Sequence, residues 1–228
     1  MDDIGIATKF GATSRDHIVV VRDVFRVARQ HDLFFKLSKS VFHSNHMEYL
    51  GVVLKRGVTM MDPIKIDGLR NWPCPKTVRG VRSLLGFGNF YRPFIKNYAL
   101  ITLPLTRLTK KDIIFQWRQE VEDAAFVALI NAFTSGPVLV HPILMDQFTI
   151  EVDASNYAIG AVLLQKRNGK LHPVSHMSKT FNAAEHNYDI YDKELLAIVY
   201  ALRQHRQLVA GSPHKIIIFT DHLNLTYW

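Results

Sequence analysis

Between Phe148 and Phe219 the chain changes its hydrophobic period in an order that few folds accommodate. Phe148, Ile150 and Val152 alternate with Thr149, Glu151 and Asp153, the period of a half-buried strand. Ala158–Gln165 predicts a second strand, reached through a turn at Ser155-Asn156. Asn168-Gly169 is the strongest hairpin signal in the chain and leads into a third strand from Leu171 to about Met177. A long helix over roughly Ala184–Arg206 follows. Ile216-Ile217-Ile218-Phe219 is then apolar on both faces, which marks an interior strand and favours parallel pairing. The expected architecture is an antiparallel three-strand meander, a crossover helix and a buried fourth strand in a mixed sheet.

Upstream the pattern is mainly helical. Residues 16–31 predict an amphipathic helix with Ile18, Val21, Phe25 and Ala28 inward and Arg22, Arg26 and Arg29 off that stripe. Leu33-Phe34-Phe35 and Met47–Leu54 predict strands on either side of a polar turn at Ser44-Asn45-His46. Asp62-Pro63 starts a helix, as N-cap and first helical residue, that runs to about Trp72 and stops at Pro73-Cys74-Pro75. A second helix begins at Thr77, with Val78, Val81, Leu84, Leu85 and Phe87 inward and Arg79 and Arg82 outward. Residues 99–108 and 120–134 predict two more helices. The fold class is therefore α/β, or α+β overall.

Charge divides the chain where hydropathy does not. Residues 1–111 carry 19 Lys and Arg against 8 Asp and Glu, and residues 112–228 carry 9 against 12. A basic half suits either a polyanionic partner, through counterion release, or plain solubility. No apolar run approaches the roughly 20 residues that cross a bilayer, so no membrane partner is expected. The single Cys74 excludes an internal disulfide framework and fits a reducing intracellular setting, cytoplasmic or nuclear.

Three acids occupy chemically suggestive places. Asp153 ends the first strand of the meander and Asp221 ends the apolar fourth strand; were those strands neighbours, both carboxylates would emerge at one sheet edge. Glu194 lies on the crossover helix about 80° from an apolar centre formed by Tyr188, Tyr191, Leu195, Ile198 and Leu202, on the boundary between core and solvent. Converging carboxylates repel one another unless a cation compensates them. Hard oxygen ligands suit Mg²⁺, or Mn²⁺, and two such ions about 4 Å apart activate water and stabilise a leaving oxygen in phosphodiester hydrolysis. Three unrelated surface acids fit the same spacing. His176, His205 and His222 are available as bases, although His222 reads better as a local hydrogen-bonding residue.

Longer motifs separate these readings. Phe148-Thr-Ile-Glu-Val-Asp-Ala-Ser-Asn-Tyr-Ala-Ile-Gly-Ala-Val-Leu-Leu-Gln165 closely resembles the first hairpin of the ribonuclease H domain of gypsy-type LTR retrotransposon Pol polyproteins. Asn187-Tyr-Asp-Ile-Tyr-Asp-Lys-Glu-Leu-Leu-Ala197 resembles that family's helix with the catalytic Glu, and Phe219-Thr-Asp-His-Leu-Asn-Leu225 its next catalytic strand. Met1-Asp2-Asp3 resembles the end of the Tyr-x-Asp-Asp polymerase motif, and Glu48-Tyr49-Leu50-Gly51 the hairpin that steadies the primer terminus. Asp62-Pro63 to Trp72-Pro73, Val81-Arg-Ser-Leu-Leu-Gly86 and Phe90-Tyr-Arg-Pro-Phe-Ile95 resemble thumb and connection helices.

The resemblance implies a palm end with a primer-grip-like hairpin over 1–60, thumb-like helices over 61–112, a connection over 113–145 and a ribonuclease H-like domain over 146–228. It implies Asp153, Glu194 and Asp221, with Asp2 and Asp3, as catalytic metal ligands for Mg²⁺. RNA-directed DNA synthesis and metal-dependent cleavage of RNA in RNA–DNA hybrids would follow, with hybrids, template–primer duplexes and other Pol segments as partners. Lys36, Lys39, Arg79, Arg82 and Arg92 are expected phosphate contacts. Gly51 belongs to the primer-steadying hairpin, and Tyr49 and Trp72 are stacking candidates. The family's fingers, third polymerase Asp and fourth ribonuclease H Asp have no counterpart in these motifs, so the ribonuclease H domain is expected to be truncated. A catalytically incomplete nucleic-acid-binding remnant of a decayed element is the alternative.

Overall fold

The computed structural model describes residues 4–8 and 11–221, which divide into two compact units at Arg56 and Gly57. In the first unit α1, Ser14–Gln30, is opened by a capping box in which Thr13 and Asp16 satisfy each other's backbone N–H groups. Asp16 N–H reaches Thr13 Oγ1 at 3.3 Å, and Thr13 N–H reaches Asp16 Oδ2 at 2.7 Å. Ala28 is the buried residue of the expected stripe.

The strand expected at Leu33-Phe34-Phe35 does not form. Leu33 N–H donates to Ala28 O and Asp32 N–H to Arg29 O, with Asp32 left-handed at φ 53°. This 6→1 and 5→2 pair closes α1 and takes Leu33 into the helix end, leaving Phe34 91% exposed. The single strand expected over Met47–Leu54 is a hairpin instead, β1 (His46–Tyr49) and β2 (Val52–Lys55), with Tyr49 opposite Val52. Leu50 and Gly51 lie at φ 49° and 81°, the two left-handed positions of a type I′ turn.

The second unit joins a helical cluster to a mixed sheet. Strands β3 (Val58–Met61) and β4 (Val138–Val140), neither evident from the sequence, pair antiparallel. The guanidinium of Arg167 holds Gly57 O and His141 O on either side of them. Asp62 caps α2, Pro63–Arg70, by accepting the Ile64 N–H at 2.8 Å, and Thr77 caps α3, Val78–Phe90. The helix expected over 99–108 is two, α4 (Tyr98–Ile101) and α5 (Leu103–Arg107). The helix expected over 120–134 starts as a π turn, Gln119–Asp123, and continues as α6, Ala124–Thr134. Glu122, 1% exposed, anchors that turn by accepting three hydrogen bonds from Arg118, which hold its carboxyl below the usual carboxylate range.

The sheet that carries the acids follows the expected order. Strands β5 (Phe148–Ala154), β6 (Ala158–Arg167) and β7 (Lys170–Thr180) form the antiparallel meander, with Asn168-Gly169 as a left-handed pair at φ 49° and 81° in its second turn. Pro173 sits beside the one register shift, where Leu163 pairs Ser175 and Leu164 pairs Pro173; a proline without N–H is tolerated on such an outer strand. Asn182 and Glu185 cap a short α7, Ala183–His186. The chain then breaks at Asn187–Asp189, where Asp189 is extended (ψ 162°), and restarts as α8, Ile190–Gln204, so the long helix is interrupted by residues that favour caps over helix interiors. A last turn, α9 (Arg206–Val209), leads to β8, Ile217–Phe219, which pairs in parallel with β5.

Strand order is β7-β6-β5-β8. The fourth strand is thus parallel as expected but not interior among the described residues. Ile218 packs on the core, while Ile217 and Phe219 are 39% and 51% exposed. Phe148, Ile150 and Val152 meet Ala197 and Ala201 of α8 on one face of the sheet. On the other face the Ala99 N–H of α4 donates to Ser178 Oγ of β7 at 2.8 Å.

Candidate active site

The register of β5 and β8 decides where two of the acids stand. Glu151 is the last β5 residue paired to β8, opposite Phe219. Asp153 and Asp221 each lie two residues further along parallel strands, so both emerge at the same sheet edge and both are exposed. Glu194 comes to that edge from α8 and is 3% exposed.

This burial corrects the helical-wheel reading. Of the expected apolar centre, Ile198 and Leu202 pack on the core, but Tyr188, Tyr191 and Leu195 face outward at 43%, 47% and 50% exposure, and Lys193, Glu194, Ala197 and Ala201 are the buried residues of α8. Small alanines let the helix approach the sheet closely, and that rotates Glu194 inward. Its Oε2 accepts the Thr220 hydroxyl at 3.3 Å, and its carboxyl also accepts the backbone N–H of Ala154. Burial pushes the Glu194 carboxyl above the usual carboxylate range. Asp221, and more weakly Asp153, push it the same way by like charge, against the two hydrogen bonds.

The three acids therefore share one electrostatic neighbourhood. Among the described residues, however, no three His, Cys, Asp or Glu groups stand close enough together to hold a metal ion. The donor set, carboxylates without thiolate or imidazole, has the chemistry of a hard-cation site. Thr220 was missed in the sequence because a hydroxyl beside an acid carries no spacing signal of its own. Asp153 also pairs in register with Gly160, against which the side chain of Asn97 lies.

The other expected residues are scattered. Asp2, Asp3 and His222 lie outside the described residues. In the first unit, Lys36 and Lys39 are exposed around a short 3-10 turn, and Tyr49 and Gly51 are half-buried in the β1–β2 hairpin. In the second unit, Arg79 is exposed on α3, while Arg82 spends a guanidinium N–H on Thr109 O at 3.1 Å. Arg92 is half-buried, 6.0 Å from the Tyr98 ring centre. Trp72 packs on Phe87 with ring centres 5.5 Å apart. Burial holds His176 and His205 below the ordinary imidazole range, His176 at about 4.

The β7-β6-β5-β8 sheet and the helix that crosses it lie in the segment that matches a known domain family. Residues 117–218 match the family described as the RNase H-like domain found in reverse transcriptase, and the chain carries that domain. Over 227 residues, 99% of its length, the chain is 33% identical to the transposon Tf2-3 polyprotein of Schizosaccharomyces pombe, and equally to the Tf2-7 polyprotein. Over nearly its whole length the chain is thus similar to a stretch of retrotransposon polyprotein. It spans 17% of the length of those relatives. Among solved structures, the foamy viral protease-reverse transcriptase dRH in complex with double-stranded DNA matches with TM-score 0.78 at 21% identity, covering 94% of this chain and 38% of that one. The same viral protein in complex with an RNA/DNA hybrid matches with TM-score 0.77 at 20% identity, over 94% and 29%. These likenesses establish the fold.

Proposed function

We propose that the chain is the part of a retrotransposon polyprotein that cuts the RNA strand of RNA–DNA hybrids, with Asp153, Glu194 and Asp221 as its metal-holding acids. The observation that carries this reading is a buried carboxylate, Glu194, kept beside two other acids at one sheet edge although their charges oppose its ionisation. Proteins retain such crowding at functional sites more often than elsewhere. Asp153 and Asp221 would hold the ion from the open side and Glu194 from beneath. When bound, Mg²⁺ lowers the pKa of a coordinated water and neutralises charge on the attacked phosphate. Thr220 and the Ala154 N–H keep the Glu194 carboxyl oriented toward the edge while it is charged.

The same reading assigns Asp2 and Asp3 to metal binding for RNA-directed DNA synthesis, with template–primer duplex as partner. Lys36, Lys39, Arg79 and the Tyr49–Gly51 turn would contact nucleic acid, and the setting would be intracellular. Other Pol segments would complete the polymerase. The test is a labelled RNA–DNA hybrid incubated with purified chain and Mg²⁺: cleavage is expected, and Asp153→Asn is expected to abolish it. Cleavage undiminished in that variant would sink the assignment.

A second reading, a nucleic-acid-binding remnant without turnover, is favoured by the open spacing of the three acids among the described residues. It calls for salt-dependent duplex binding with no Mg²⁺-dependent product.

A further inference from the structure

Near the far end of α8 lies a cleft that hydrolysis would not use. It encloses about 230 Å³ between the Arg92–Phe94 turn, the middle of β7 and the end of α8, with Arg92, Ser175, His176, Tyr200, Gln204 and His205 in its lining. Two ring nitrogens of that lining, His176 Nδ1 and His205 Nε2, are buried and have no hydrogen-bond partner among the described residues. His205 as a whole is 7% exposed. Buried polar atoms in native proteins are almost always satisfied, so two orphans in one cleft call for an occupant.

The lining indicates its chemistry. Burial keeps both imidazoles neutral near pH 7, and Lys96 acts on His176 in the same direction. At its orphan nitrogen a neutral imidazole can present its N–H, so an occupant with several acceptor oxygens satisfies both rings. Two imidazoles alone would suit a transition metal. No lining residue is acidic, however, while Arg92 lines the cleft without an ion pair among the described residues; Lys96 stands near but is paired with Glu151 at 3.6 Å. That charge balance rejects a cation and selects an anion. The Gln204 amide donates to Tyr200 Oη at 3.3 Å, which leaves the phenolic proton available to an acceptor. A carboxylate offers two oxygens to these donors, whereas a phosphomonoester offers three terminal oxygens and up to two negative charges. The volume exceeds that of one tetrahedral anion and leaves room for a small organic part.

We propose that this cleft binds a phosphomonoester, with Arg92 meeting its charge and His176, His205 and Tyr200 its oxygens. The site stands apart from the three acids and does not depend on their activity. The phosphoryl group could arrive on a free nucleotide or on the 5′ end of a nucleic-acid strand. The full chain, with ¹⁵N-labelled histidine, is titrated by NMR with a nucleoside 5′-monophosphate, then with a 5′-phosphorylated and an unphosphorylated duplex.

Saturable shifts of the His176 and His205 ring signals are expected, with binding weakened roughly tenfold or more in Arg92→Gln. His205→Phe, which keeps the apolar packing, should abolish the shifts while amide spectra stay folded, and Asp153→Asn should leave them unchanged. Shifts by the phosphorylated duplex but not its unphosphorylated twin would support the site and name a strand end as its source. The proposal is overturned if sodium chloride at equal ionic strength gives the same shifts. It is overturned equally if the rings do not respond up to roughly 20 mM monophosphate, or if Arg92→Gln binds like the unaltered chain.

Discussion

At the scale of single residues, two kinds of buried titratable group pull stability in opposite directions. Glu194 keeps its proton to higher pH in the folded chain than its ordinary value of 4.5. The native state therefore binds more protons in that window, and stability falls as pH rises from about 4.5 through the folded pKa. Glu194→Gln removes that loss. In melting experiments without divalent ions, its Tm relative to the unaltered chain should improve between pH 5 and pH 8. Adding Mg²⁺ should raise the Tm of the unaltered chain and not of the variant. His176 has the reverse sign, because burial lowers it from 6.5 to about 4. The unfolded state then binds more protons, so stability present above 6.5 is lost on acidification toward 4, by up to about 3 kcal/mol. Denaturant titrations of His176→Gln at pH 7 and pH 4.5 should show a smaller acid loss than the unaltered chain.

At the scale of elements, backbone strain and close approach are the testable features. Leu50 occupies a left-handed position that Asn or Gly adopts at less cost. Leu50→Asn creates the Asn-Gly pair preferred by type I′ turns and should stabilise the first unit by about 0.5–1 kcal/mol, read from urea denaturation. In the second unit, a Cβ at Gly160 would collide with Asn97 Oδ1, beside Asp153. Gly160→Ala should cost about 1–3 kcal/mol. Asn97→Gly, which keeps the φ of 54°, should restore most of that in the double variant, and non-recovery would place the strain elsewhere. The same two features mark where sequence reading stops. The meander was legible because Phe148 to Val152 alternates and Asn168-Gly169 has one favoured turn. The β1–β2 hairpin was legible only through the resemblance of Glu48–Gly51, not from periodicity, because Leu50 is not a turn residue and Gly51 alone is ambiguous. Strands β3 and β4 went unseen because three or four residues paired across the chain leave no local period. The rotation of α8 was hidden because large apolar residues were read as its buried side, whereas Ala197 and Ala201 face the core.

At the scale of the whole molecule, the proposed duplex binding would take its salt dependence from the basic residues gathered in the first half. Duplex affinity should fall linearly on a log–log plot against salt, and each phosphate contact removed should reduce the slope by about one. Arg79→Ala should do so without affecting the fold, since its side chain is exposed. Arg82→Ala should also lower Tm, because its guanidinium holds Thr109 O. Equal slopes for Arg79→Ala and the unaltered chain in fluorescence anisotropy would remove Arg79 from the interface.

The parallel pairing of β5 with β8 also orders events in time. Asp153 and Glu194 can settle as soon as the meander and α8 pack, but Thr220 and Asp221 arrive only when a short, half-exposed strand docks from far along the chain. Closing that distant contact is slow in folding, and its loss is a low-cost opening of the sheet. The acid triad should therefore come apart while the rest of the sheet stays intact, with β8 amides exchanging hydrogen fastest. Competence to cut and the docking of one strand would then be the same event.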